Sequence, residues 1–88
     1  MKTENEIEVT GTQIVVLDRG FVYVGNVTID GDKVKIADAK NIRRWGTTAG
    51  LGQLANGPIA GKTVADPAGE VIAPLKSVIH FIKCNQGW

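Results

Sequence analysis

The sequence predicts a mainly β fold: a small antiparallel barrel or curled sheet of five to six short strands with one short helical insertion. Three observations predict it. Apolar residues fall in short β-branched runs bounded by Asp, Gly and Pro turn signals. Residues 21–30 alternate with a period of two. Residues 49–55 space their apolar side chains for one short helix. At 88 residues the chain makes one domain, 1–88, with residues 1–11 as a mobile or edge segment.

The elements follow in order. Residues 13–17, QIVVL, are apolar without alternation and predict a strand packed on both faces. Asp18, Arg19 and Gly20 make a turn. In residues 21–30, FVYVGNVTID, the odd positions Phe21, Tyr23, Val27 and Ile29 form one apolar face. The even positions shade from Val22 and Val24 to Asn26, Thr28 and Asp30. Gly25 within this strand predicts a bulge or bend. Asp30-Gly31-Asp32 predicts a hairpin, because Asp-Gly supplies the positive φ of a primed turn. Residues 33–37 return with Val34 and Ile36 inward, which completes a three-stranded meander.

Residues 49–55 place Leu51, Leu54 and Ala55 on one helical face, with Thr48 as cap and Asn56-Gly57-Pro58 as stop. Gly50 and Gly52 each weaken such a helix by about 1 kcal/mol, so packing must hold it. Asp66-Pro67-Ala68-Gly69 reads as a turn, residues 71–73 as a strand, residues 74–77 as a tight turn and residues 78–83 as the last strand. The spacing of Leu75, Val78, Ile79 and Ile82 also fits a helix, but β-branched density favours the strand. The sum is a barrel of SH3-like or OB-like plan.

Chemistry concentrates in NIRRWGTTAGLGQLANGPIAGKT, residues 41–63. A nucleotide loop of the ATPase type needs Gly, four residues, then Gly-Lys-Ser/Thr. Asn56 stands where Gly61-Lys62-Thr63 requires the glycine, and a strand fragment follows instead of a helix. A different phosphate site is expected. Arg43 and Arg44 supply bidentate donors, Trp45 a stacking ring, Gly46 access to the backbone, Thr47 and Thr48 hydroxyls, and Lys62 a further cation. Amides at the helix start add partial positive charge. The competing reading makes the arginines a solvated edge, Trp45 a core residue and the glycines simple turn formers.

Three segments, VVLDRGFVYVGNV, NIRRWGTTAGLGQLANGP and DPAGEVIAPLKSVI, resemble a family of short proteins encoded by phages and prophages. The likeness runs from Ile14 to Ile82 and is most specific in the RRWGTTxGLG block. The family has no established activity, so it transfers no catalytic residue. It implies a phage origin and a small β-rich fold.

Other residues point away from catalysis. His80 on the last strand reads as structural, and Cys84 lacks a nearby base or acid in sequence. Glu4, Glu6 and Glu8 lie in a polar tail. Asp30 and Asp32 form a turn and are too few for a calcium loop. One cysteine excludes a disulfide framework and a multi-cysteine metal site, so no cofactor or metal is expected. A net charge of +1 gives little phosphate neutralisation, which ranks nucleic acid behind other partners. The longest apolar run, Ile14 to Leu17, is too short for a membrane span. The polar start lacks a secretory core, and the single cysteine suits a reducing compartment, so a cytoplasmic location is expected, in the host for a phage-encoded chain.

The expected function is a non-enzymatic phage protein that sequesters a small anionic, nucleotide-type ligand, a host antiviral-defence signal being one such molecule. The alternative is a protein-interaction module that inhibits a host complex or serves as a small assembly component. A chain this short with strands apolar on both faces is expected to form a homo-oligomer.

Overall fold

The computed structural model describes residues 11–85 and residue 88. The segment carrying Glu4, Glu6 and Glu8 lies outside the described residues. Five antiparallel strands form one sheet: β1 (Gly11–Leu17), β2 (Val22–Asp30), β3 (Lys33–Arg44), β4 (Val64–Pro74) and β5 (Val78–Lys83). The order is β4-β3-β2-β1-β5, a meander whose last strand returns beside the first. The edge strands β4 and β5 are joined only by a 3₁₀ turn, Leu75–Ser77. Four extended Cα steps span at most about 14 Å, whereas the edges of a flat five-stranded sheet stand about 19 Å apart. The sheet must therefore curl. This is the SH3-like arm of the expected plan.

Curling gives the sheet an inside and an outside, and each carries its own core. Inside, Val15, Leu17, Val27, Val34, Ile36, Ala39 and Ala73 are buried, with Tyr23, Val71, Val78 and Phe81 packed against them. Outside, Ile14, Val22, Val24 and Ile42 are buried beneath Leu54, Leu51, Ile59 and Trp88. Ile14 and Val15 are both fully buried because β1 lies between the two cores. That is the physical meaning of a strand without alternation.

The register of β2 against β3 breaks between Val24 and Asn26, as Gly25 predicts. β3 approaches Gly25 so closely that a Cβ there would stand 2.6 Å from Ile36 Cγ2 and 2.8 Å from the Ala37 carbonyl oxygen. The extra residue on β3 shifts its alternation, so Val34 and Ile36 face the inner core while Ile42 faces the outer one. The two-residue turn after Asp30 has its positive φ at Gly31.

Four expectations change. Phe21 and Ile29 sit at the strand ends, past the reach of the inner core, and are exposed. The third strand, expected over residues 33–37, runs on to Arg44. Asp66-Pro67-Ala68-Gly69 is not a turn but part of β4, paired with β3 through register shifts. Pro67 is tolerated because β4 is an edge strand, where a missing N–H need not interrupt the sheet. The helix is a 3₁₀ segment, Leu51–Asn56, with a Gly57 N–H to Leu54 carbonyl bond of 2.9 Å. Thr48 is not its cap. The Gln53 side chain reaches back instead, accepting from the Thr48 and Ala49 N–H groups at 3.1 and 2.9 Å.

Candidate functional site

Arg43 and Arg44 are adjacent in sequence but part company at the end of β3, where the register against β4 shifts by one residue between Ile42 and Arg44. Arg43 Nε donates to Asp66 Oδ2 of β4 at 2.8 Å. Both side chains are more than half exposed, so solvent screening limits this ion pair to about 0–1 kcal/mol. Arg44 instead lines a pocket of about 320 Å³ with Gly46, Thr47, Thr48, Gly61 and Lys62. The volume falls within the small-molecule range of about 300–1,000 Å³.

The chain holds this pocket through backbone contacts made by small residues. Gly46 has φ +69°, and a Cβ there would lie 2.5 Å from the Lys62 carbonyl carbon. Two chain segments therefore touch where only glycine fits. Thr63 Oγ1 donates to the Trp45 carbonyl at 2.7 Å and accepts from the Ile59 N–H at 2.8 Å. The Ile59 carbonyl accepts from the N–H groups of Lys62 and Thr63 at 3.0 and 2.9 Å. Leu54 anchors the whole segment by complete burial in the outer core.

Arg44, Gly46, Thr47, Thr48 and Lys62 thus come together, whereas Arg43 is engaged by Asp66 and Trp45 lies off the pocket wall. Trp45 is 42% exposed, which also removes it from the core. The Thr48 and Ala49 amides are occupied by Gln53, so anion recognition here falls to side chains. Neither Arg44 nor Lys62 has an acid partner among the described residues. Two uncompensated cations around one pocket raise the local potential for an anion.

A second pocket, of about 260 Å³, was not anticipated in the sequence. It opens at the β2–β3 bulge and is lined by Thr12, Val24, Gly25, Asn26, Ala37, Asp38, Lys40 and Trp88. Trp88 Nε1 donates to the Leu54 carbonyl at 2.7 Å, which fixes the indole over the outer core. Lys40 Nζ lies 5.8 Å from the indole centroid. Asp38 holds φ +50°, in the left-handed region. Gly25 was the one sequence signal for this place. Trp88 and Asp38 lie far apart along the chain, and no local pattern links them.

His80 is exposed on β5. Burial pushes the Cys84 thiol above its usual range, against a smaller lowering by a backbone hydrogen bond at Ile14, which leaves it a poor nucleophile near neutral pH. Among the described residues no three His, Cys, Asp or Glu side chains gather to hold a metal, and no helix is long and apolar enough to cross a membrane. Comparison with protein-family models returns no match, and neither does comparison with curated proteins.

Proposed function

We propose that this chain is a non-enzymatic binding protein that captures a small phosphate-bearing ligand of the nucleotide class at the pocket of Arg44 and Lys62. One observation carries the reading. Two cations without acid partners among the described residues border a pocket that also presents Thr47 and Thr48. Guanidinium, ammonium and hydroxyl groups hold a phosphate without supplying a base to attack it. The resemblance to phage-encoded proteins extends the proposal to capture of a host defence signal in the host cytoplasm.

Arg44→Ala with Lys62→Ala is the decisive variant, assayed with pyrophosphate and a panel of mono- and cyclic nucleotides. Each charge-assisted contact is worth roughly 1.5–3 kcal/mol. Losing both weakens affinity by about a hundredfold or more, at 1.4 kcal/mol per decade. Alanine keeps the Cβ that packs on Gly46, so the melting temperature stays unchanged. Arg43→Ala is the control: it removes the Asp66 pair, costs at most about 1 kcal/mol of stability and leaves affinity intact.

A second reading rests on a different observation. Phe21, Ile72 and Ile79 are 51%, 58% and 63% exposed. Apolar side chains of that size on a small domain suit a protein-interaction module. Failure of the unmodified protein to bind any phosphate compound in the panel replaces the first reading with this one.

A further inference from the structure

We infer that the pocket at the β2–β3 bulge binds a small zwitterion of the α-amino-acid class. The ligand's carboxylate faces Lys40, its ammonium faces Asp38, and its carbon body lies against the Trp88 indole. The inference is independent of the phosphate site, since the two pockets share no lining residue.

The charges define the ligand. Asp38 and Lys40 line one pocket yet form no ion pair with each other, and Asp38 has no partner of any kind among the described residues. The Lys40 ammonium lies 5.8 Å from the Trp88 ring, at the outer limit of a cation–π interaction, and has no acid partner among the described residues. The register shifts around Asp38 and Lys40, and no ion pair closes the wall between them, which leaves the space there open to a molecule. A simple anion would face the Asp38 carboxylate, and a simple cation would face Lys40. A molecule with one charge of each sign satisfies both.

The walls agree with that assignment. Val24 and Gly25 make a buried floor, while Asn26 and Thr12 add an amide and a hydroxyl. The indole is pinned by its own N–H, so it presents a fixed apolar surface. A volume of about 260 Å³ restricts the occupant to a small molecule. The bulge supplies the geometry. It holds Asp38 at positive φ, a conformation that Asp accepts more readily than most residues.

Amide NMR of the full chain tests this directly. Free L-α-amino acids are titrated one at a time to millimolar concentration. At least one shifts the Gly25, Asn26, Ala37, Asp38 and Lys40 amides and the Trp88 indole N–H saturably. Its N-acetyl derivative and its methyl ester, each lacking one charge, bind roughly tenfold or more weakly. Asp38→Asn keeps a residue that tolerates left-handed φ, and Lys40→Gln alters an exposed side chain. Both variants fold, both weaken binding about tenfold or more, and both leave pyrophosphate titration at Arg44 and Lys62 unchanged. The absence of saturable shifts at the bulge for every amino acid overturns the inference. Equal binding of the capped derivatives, or unaltered binding by both variants, overturns it as well.

Discussion

Gly46 and Gly25 look alike in the sequence but carry different constraints. At Gly46 an added methyl meets a left-handed backbone, costing about 1–2 kcal/mol, and also the Lys62 main chain at 2.5 Å. Main chain cannot rotate away as a side chain can. At Gly25 the φ is ordinary, and the nearest obstacle is the Ile36 Cγ2 atom at 2.6 Å, followed by the Ala37 carbonyl. Overpacking of this kind costs about 1–3 kcal/mol. Gly46→Ala is therefore expected to be the more damaging change. It should lower stability by about 2 kcal/mol or more and the melting temperature by roughly 10 °C. Gly25→Ala should fall below it in the same thermal scan. A Gly46→Ala variant that melts with the unmodified protein would disprove the close contact between Gly46 and Lys62.

The elements show which signals a sequence carries. β1, β2, the hairpin at Gly31 and β5 were legible because their causes are local: β-branched runs, a period of two and an Asp-Gly pair. The first half of β4 was not. Asp66-Pro67-Ala68-Gly69 is a turn by local preference, but β3, a strand 12 residues long, pairs opposite it, and the edge position forgives the proline. The helix type was also hidden, since apolar residues three apart suit a 3₁₀ segment as well as an α-helix. The cations of the site were visible, whereas the capture of Arg43 by Asp66 is a contact across 23 residues. Thr63 passed as the end of a failed phosphate motif and proves to be the rivet of the segment between β3 and β4. Thr63→Val removes its hydrogen bonds to Trp45 and Ile59, each worth about 0.5–1.5 kcal/mol. The expected result is faster hydrogen exchange at Ile59, Lys62 and Thr63, with β1, β2 and β3 still protected. Uniform loss of protection across the sheet would show that the segment and the barrel unfold as one unit.

Among the described residues the curled sheet has two unpaired edge strands, β4 and β5, and they are not equivalent. The β4 edge is interrupted by Pro67, Pro74 and several register shifts, and it carries Asp66 and Glu70. Such features discourage strand addition. The β5 edge is less obstructed: residues 78–83 contain no proline and no acid, and Ile79, at the single register shift against β1, is 63% exposed. Leu17 pairs with Val78, and its N–H donates to the Phe21 carbonyl at 2.8 Å, so exposed Phe21 and Ile79 gather at one end of the sheet. A second copy placed antiparallel along β5 would satisfy the open backbone groups and cover both side chains across a two-fold axis. The expected assembly is a homodimer through β5. Ile79→Lys adds a charge to the exposed edge and touches neither core, so it should leave the melting transition of the folded chain in place at low concentration. The same change should convert the dimer to a monomer of 9.4 kDa by light scattering at high micromolar concentration. An Ile72→Lys control on β4 should leave the dimer intact. A monomeric unmodified protein in that measurement would remove the dimer, and dissociation by Ile72→Lys alone would move the interface to β4.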